Sequence, residues 1–192
     1  IIGSDTRMEE RERRIRMKVL FIGNSHTYYN DMPEIFRGIC EENGIGQVET
    51  VMIATPGVGF DYHAQSPEAL FNIRHGHYDC VVLQHKAHPM GDQALMLSGA
   101  DTLIKEVRNA GGEPCLFMTW TRKDDEAGQE DMAEIYEGIG NSYGVKVAPV
   151  GRRWWQYHHE HPEIELYAQD GQHASMDGSV LTAQVIYETL FL

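Results

Sequence analysis

Short apolar runs alternate with longer segments of helical period along most of this sequence, and this alternation constrains the fold more than any other feature. Five runs have the length and residue types of buried strands; they cover residues 18–23, 47–54, 79–84, 113–120 and 145–149. Strands joined by helices form a parallel sheet through right-handed crossovers, with helices on both faces. The sequence therefore predicts an α/β protein, a three-layer α/β/α sandwich with about five parallel strands and five or six helices.

Four of the helices can be placed from their start signals, stop signals and apolar spacing. One begins near Asp31 and ends at Asn43, and the next covers residues 92–110. Another is predicted over residues 125–142, and a closing helix begins at Asp177. These helices lie between or after the predicted strands, as a sheet covered on both faces requires.

The 192 residues suffice for one well-packed domain, and no repeat or Pro- and Gly-rich linker divides them. We expect a single domain over residues 17–192. Residues 1–16 are interpreted as an N-terminal appendage or an extension introduced by cloning, because Gly3-Ser4 is typical of a cloning remnant. No apolar signal segment follows Ile1, so a cytoplasmic location is the default expectation, although a signal peptide already removed would leave no trace.

The charge and cysteine content narrow the classes of partner. Sixteen Lys and Arg against 29 Asp and Glu give a net charge of -13, which repels nucleic acid phosphates and anionic membranes. No run of 18 apolar residues exists, so we predict no membrane span. Cys40, Cys80 and Cys115 each lie among apolar residues and are predicted to be buried free thiols. A soluble protein acting on a small molecule is expected, with an oligomeric state that the sequence leaves open.

Polar residues follow directly after the first three predicted strands. They occupy residues 24–27, 55–59 and 84–88. Ligands of open parallel sheets bind beyond the carboxyl ends of the strands. The chemistry of this protein is therefore expected at that edge.

Three residues form a candidate catalytic triad. Ser25 follows the first strand by two residues, at a turn into a helix that can hold its hydroxyl over the sheet edge. Far along the chain, Asp170 precedes His173 by three residues, ahead of the last helix. This spacing lets the carboxylate bind one ring nitrogen while the other faces a nucleophile. A plain helix N-cap for Ser25 and a plain turn at Asp170 are the alternative interpretations.

The two motifs resemble those of a known family. Residues 23–27 (GNSHT) after the first strand look like the first block of the SGNH, or GDSL-type, hydrolases, and Asp170-x-x-His173 looks like their fifth block. The motifs occur in the family's order and are separated by the expected number of β-α units. The resemblance implies a flavodoxin-like sandwich over about residues 17–191 and ester hydrolysis through a serine acyl-enzyme. It implies no metal or other cofactor.

The resemblance also suggests an oxyanion hole. Gly57 lies where the family places a glycine whose N–H binds the oxyanion, with Gly59 as its rival. The family's Gly-x-Asn-Asp block after the third strand is absent, and residues 83–86 read LQHK. The role of its Asn is carried over to Gln84, whose amide can also donate. The predicted oxyanion hole thus comprises the N–H groups of Ser25 and Gly57 and the Gln84 amide.

A small-acyl esterase, acting for example on acetylated carbohydrate, is the favoured function, because no long lid insertion is visible. Two alternatives from other classes remain: a flavodoxin-like protein that binds phosphate or a cofactor at the helix after the first strand, and a silent family member that binds carbohydrate. The paired histidines, such as His85 with His88, lack the spacing of a metal site. Trp154 and Trp155 are more typical of core packing than of sugar stacking.

Overall fold

The computed structural model describes residues 16–192 of the chain. A five-stranded sheet lies at its centre, in the order β2-β1-β3-β4-β5. The strands are β1 (Arg16–Gly23), β2 (Gln47–Ala54), β3 (Cys80–Gln84), β4 (Glu113–Phe117) and β5 (Lys146–Ala148). All neighbouring strands pair in parallel. The five predicted parallel strands and the three-layer α/β/α fold are confirmed.

Eight α-helices connect and flank these strands in the described part of the chain. They are α1 (Ser25–Tyr28), α2 (Met32–Glu42), α3 (Phe60–His63), α4 (Pro67–His75), α5 (Gln93–Asn109), α6 (Gly128–Tyr143), α7 (Val150–Glu160) and α8 (Met176–Phe191). A 3₁₀ turn, Tyr29–Asp31, separates α1 from α2. The four predicted helices are α2, α5, α6 and α8, within three residues at each end. The estimate of five or six helices was too low, because it missed α1, α3, α4 and α7.

Each face of the sheet carries its own apolar core. Side chains alternate along a strand, so Val19 and Phe21 of β1 face one core while Leu20 and Ile22 face the other. Helices α2, α7 and α8 cover the first face, and α3, α4, α5 and α6 cover the second. A parallel sheet buried on both faces explains why the strands appear in the sequence as continuous apolar runs.

The ends of four strands differ from the prediction, by at most three residues. Strand β3 begins one residue later than predicted, and β5 is one residue shorter at each end. Strand β1 begins at Arg16, two residues before the predicted start, so its first residue falls inside the predicted appendage. The other fifteen residues of that appendage lie outside the described residues. Strand β4 ends at Phe117 rather than at residue 120, because its neighbour β5 supplies only three paired residues. Trp120, three residues after the end of β4, is buried in the core, and its ring stacks on that of Trp154 with centroids 3.9 Å apart.

The structure also describes the three cysteines and the apolar character of the helices. Cys40, Cys80 and Cys115 are all buried free thiols, as predicted. Over residues 16–192, no helix combines the length and apolar character that crossing a membrane requires.

Candidate active site

Ser25 is the first residue of α1, directly beyond the carboxyl end of β1. The turn that presents it is built around Asn24, whose side chain caps the helix by accepting the His26 N–H at 3.0 Å. The Asn24 amide also donates to the Val58 carbonyl at 2.9 Å, which ties this turn to the loop after β2. As the first helical residue, Ser25 has a backbone N–H with no partner inside the helix.

Gln84 lies beneath this turn, fully buried at the end of β3. Its side-chain oxygen accepts the Asn24 N–H at 2.8 Å and the Thr27 hydroxyl at 3.0 Å. Its side-chain nitrogen donates to the His85 carbonyl. A side chain on Gly23 would collide with Thr27 and Gln84, so the glycine permits this close approach. The geometry gives no support to the oxyanion role predicted for Gln84, because its amide is engaged in holding the serine turn.

His173 and Asp170 meet Ser25 from the other end of the chain. His173 Nε2 lies 2.8 Å from Ser25 Oγ, although the two residues are 148 positions apart. His173 Nδ1 lies 2.6 Å from Asp170 Oδ2. The structure thus brings the three predicted residues into one hydrogen-bonded series: hydroxyl, imidazole and carboxylate.

The second oxygen of Asp170 orders the loop that carries the imidazole. Asp170 Oδ1 accepts the backbone N–H of Gln172 at 2.9 Å and that of His173 at 3.0 Å. Burial acts to raise the pKa of this carboxyl, but the hydrogen bonds from the His173 ring and from these two N–H groups lower the pKa to about 2. Asp170 is therefore ionised at neutral pH.

Neighbouring side chains fix the position of the His173 ring. Tyr29 stacks on it, with ring centroids 4.1 Å apart and the planes 9° from parallel. Trp120 Nε1 donates to the Gln172 carbonyl at 2.8 Å. Asn30 donates to the carbonyls of Ala174 and Ser175 at 3.0 and 2.9 Å. These contacts fix the orientation of the imidazole within the fold itself.

The two candidate oxyanion glycines occupy different environments. Gly57 lines the cavity beside Ser25, has a left-handed φ of 71° and faces open space. No described residue accepts a hydrogen bond from its N–H. Gly59 lies outside the cavity lining, and a side chain there would collide with the His85 imidazole. The position of Gly57 suits an oxyanion donor, and that of Gly59 does not.

A cavity of about 290 Å³ opens over Ser25. It is lined by Asn24, Ser25, His26, Gly57, Lys86, Ala87, His88, Pro89, Gln172 and His173. A second cavity of about 500 Å³ shares Ala87, His88 and Pro89 with the first. Arg122 and Asp125 line this second cavity, so charged groups border it.

Two histidines of the first cavity, His26 and His88, lie in the polar segments expected to carry the chemistry, but the sequence analysis assigned them no role. Their rings lie 5.1 Å apart between centroids, and the His26 ring also lies 5.1 Å from that of His173. Burial, with the nearby charges of His88 and His173, lowers the pKa of His26 to about 3. Burial, with the nearby charges of Arg122 and His173, lowers the pKa of His88 to about 4. Both rings are therefore neutral at pH 7, and each has a buried Nε2 with no hydrogen-bond partner in the described chain.

The other side chains considered for binding lie elsewhere. Trp154 and Trp155 belong to α7, are buried in the core on the first face of the sheet and do not line the cavity over Ser25. His159 lies on α7, with its Nε2 2.7 Å from Glu126. Across residues 16–192, no three His, Cys, Asp or Glu side chains are arranged to hold a metal ion.

The chain shares its fold with solved structures described as GDSL-like lipases and as esterases, so the predicted resemblance is confirmed at the level of the fold. Solved structures similar to this chain include TesA, a carbohydrate esterase family 3 protein from Talaromyces cellulolyticus and the psychrotrophic esterase EstA from Pseudoalteromonas sp.. Their TM-scores are 0.69, 0.71 and 0.66. The alignments cover 91%, 91% and 90% of this chain and 98%, 96% and 96% of those chains.

Sequence identity to the three is only 11%, 14% and 11%, so the likeness is one of fold. No family model matches the sequence. A comparison with curated proteins gives no match either.

The alternative of a phosphate-binding protein is not favoured. That alternative requires the phosphate to bind at the N-terminus of the helix after β1, and this helix, α1, has only four residues. The Ser25 hydroxyl is already bonded to His173, and that imidazole is bonded to a carboxylate. A carboxylate behind the histidine supports proton transfer more than it supports binding of an anion.

Proposed function

We propose that this protein is a serine hydrolase that cleaves carboxylic esters through a covalent acyl-enzyme. The observation that supports this most is the series Ser25 Oγ to His173 Nε2, 2.8 Å, and His173 Nδ1 to Asp170 Oδ2, 2.6 Å. A serine hydroxyl is a weak nucleophile until a base accepts its proton. Here the base is within hydrogen-bonding distance and is itself oriented by a carboxylate.

Acylation begins with attack of Ser25 Oγ on the ester carbonyl carbon. His173 Nε2 accepts the hydroxyl proton as the new C–O bond forms. Asp170 keeps the other ring proton on Nδ1 and stabilises the imidazolium, since the carboxylate is ionised and 2.6 Å away. Collapse of the tetrahedral intermediate expels the alcohol, which takes the proton from His173 Nε2.

Backbone donors stabilise the negative oxygen of that intermediate. The N–H groups of Ser25 and Gly57 both belong to residues that line the cavity, and neither donates a hydrogen bond to another group within residues 16–192. Donors placed in advance stabilise developing charge without reorganising during the reaction. Water then repeats the sequence on the acyl-enzyme, with His173 as the base, and releases the acid.

We favour a small acyl group such as acetyl, because no long lid insertion lies between the strands that the structure describes. The cavity over Ser25 has about 290 Å³, which holds an acetyl group and leaves room for part of the alcohol. The adjoining cavity of about 500 Å³ offers room for a larger alcohol, and Arg122 and Asp125 can bind its hydroxyl groups. An acetylated carbohydrate or similar small ester fits this arrangement.

The test is hydrolysis of p-nitrophenyl acetate by the wild type and by Ser25→Ala and His173→Ala. Each variant should lose nearly all activity, and the double variant should be little worse, because the two residues act as a unit. Butyrate and octanoate esters measure the acyl preference, and a fluorophosphonate probe should label the wild type but not Ser25→Ala. Equal rates in all proteins would mean background hydrolysis by other histidines and would refute the proposal.

A further inference from the structure

The His173 imidazole lies over the face of an aromatic ring. Tyr29, the first residue of the 3₁₀ turn after α1, stacks on it with ring centroids 4.1 Å apart and the planes 9° from parallel. A short separation between nearly parallel planes places the imidazole against the electron-rich π cloud of the tyrosine. A cation in that position is attracted to the ring, whereas a neutral imidazole gains only ordinary stacking.

The other neighbours of the imidazole make its charge depend on few groups. Asp170 binds Nδ1 and Ser25 Oγ binds Nε2, so both ring nitrogens are already occupied. His26 and His88 also lie nearby, and both are neutral at pH 7 because burial lowers their pKa values to about 3 and about 4. The side chain of His173 is only 21% exposed, so water solvates a charge on it poorly.

We propose that Tyr29 is a positioning residue that acts through His173: its ring face stabilises the imidazolium that forms while His173 holds the transferred proton. This inference rests on the proposed ester hydrolysis. The imidazolium forms both when Ser25 attacks the ester and when water attacks the acyl-enzyme. The attraction is therefore stronger in each transition state than in the resting enzyme, which is the condition for an interaction to raise kcat.

The remaining contacts of Tyr29 allow this role to be tested separately from others. Within residues 16–192, no group forms a hydrogen bond with the Tyr29 hydroxyl. The Tyr29 side chain does not line the cavity over Ser25, so it is not expected to contact the substrate. The Ser179 hydroxyl donates to the backbone carbonyl of Tyr29 at 3.3 Å, and every side-chain variant retains this carbonyl. A purely steric support would depend on the shape of the ring, whereas the proposed role depends on the electron density of its face.

The first test compares Tyr29→Phe, which keeps the ring face, with Tyr29→Leu, which removes it. For p-nitrophenyl acetate, Tyr29→Phe should keep kcat within about threefold of the wild type, and Tyr29→Leu should lower kcat by about tenfold. That loss corresponds to about 1.4 kcal/mol. KM should stay within about threefold in both variants. Tyr62→Leu, the same change at a residue of α3 that is 47% exposed, is the matched control and should keep the wild-type kcat.

The second test changes the electron density of the ring with little change in its shape. Fluorine withdraws electrons from the π face, so Tyr29→4-fluorophenylalanine and Tyr29→3,4,5-trifluorophenylalanine should lower kcat stepwise below that of Tyr29→Phe. We expect about a fivefold loss for the trifluoro variant.

The pH profile of kcat/KM gives an independent measure of the same attraction. A less stabilised imidazolium releases its proton at lower pH, so the acid limb of the profile should move to lower pH by about one unit in Tyr29→Leu. Asp170, His26 and His88, the other titratable groups near the ring, are unchanged in this comparison. A variant that only misplaces the imidazole would lose kcat without this movement.

The outcomes separate the two proposals. Activity that survives in Ser25→Ala would refute the serine mechanism, and with it the role of Tyr29. Activity that disappears in Ser25→Ala but is equal in Tyr29→Phe and both fluorinated variants would overturn the role of Tyr29 alone. A rise in KM without a fall in kcat would also overturn it. The fluorinated variants decide the question even where Tyr29→Leu fails to fold, which circular dichroism detects.

Discussion

Acid should destabilise this protein through His26, and the size of the effect can be worked out from its surroundings. The ring is buried among His88, Trp120 and His173. Burial, with the neighbouring charges of His88 and His173, lowers its pKa from 6.5 to about 3, although Asp170 and a hydrogen bond with the Gln172 backbone act in the opposite direction. The folded state therefore keeps this ring neutral where the unfolded chain protonates it.

The sign of the pH effect on stability follows from whether the folded or the unfolded state binds the proton. Above pH 6.5 the ring is neutral in both states and makes no pH-dependent contribution. Between pH 6.5 and about 3 only the unfolded state binds the proton, so stability falls as the pH falls. Each pH unit in that window costs about 1.36 kcal/mol. At pH 5 the contribution of His26 is a loss of about 2 kcal/mol relative to pH 7.

The variant His26→Phe keeps a ring in the core but cannot bind a proton. Urea denaturation at pH 7 and pH 5 gives the free energy of unfolding of each protein. The decrease in the free energy of unfolding from pH 7 to pH 5 should be about 2 kcal/mol smaller in His26→Phe than in the wild type. Asp170 does not interfere, since its carboxyl begins to bind protons in the unfolded chain only near its ordinary pKa of 3.8, and its effect on stability therefore lies below about pH 4 in both proteins.

The control for this measurement is His75→Phe, a change of the same type on the exposed face of α4. Its unfolding free energy should change with pH as that of the wild type does. A difference below about 0.5 kcal/mol between His26→Phe and the wild type would refute the reasoning, because it would mean that the His26 ring is protonated in the folded protein.

Two further substitutions test the groups around the serine and the histidine. Asp170→Asn keeps the shape of the loop but loses the carboxylate behind His173, so kcat should fall by up to about 10⁴-fold while urea denaturation shows a folded protein; a loss below tenfold would remove Asp170 from the mechanism. Gln84→Leu leaves the Asn24 N–H and the Thr27 hydroxyl without their buried acceptor, so the free energy of unfolding should fall by about 2–4 kcal/mol. Unchanged stability with a lower kcat would instead favour the oxyanion role first predicted for Gln84.

The sheet could be predicted from the sequence because both its faces are buried. That burial makes β1 and β3 continuous apolar runs with sharp ends. Helix α7 was missed because its apolar residues Val150, Trp154 and Trp155 lie close to the end of β5, with only Pro149 between the two elements. Helix α4 carries a signal that could have located it: Ser66 caps the helix and Pro67 follows at its first position.

The candidate site likewise contains residues that the sequence pattern predicts and residues whose placement depends on tertiary packing. Ser25, Asp170 and His173 could be predicted because short-range spacing fixes their local geometry, and the topology places both segments at one sheet edge. The direction of the Gln84 side chain could not be predicted, since it depends on the buried N–H of Asn24 and the hydroxyl of Thr27. The place of His88 in the cavity depends on the packing of His26, which no sequence spacing encodes.

The contact between Ser25 and His173 depends on how two distant segments are joined. Asn30, in the turn after α1, adopts a left-handed φ of 53° and reaches across 144 residues to the Ala174 carbonyl. Its neighbour Tyr29 stacks on the His173 ring itself. The segment that follows Ser25 thus holds the loop that carries His173. In the proposed reaction, this connection keeps Ser25 Oγ and His173 Nε2 2.8 Å apart, so that no substrate binding energy is used to bring the two groups together.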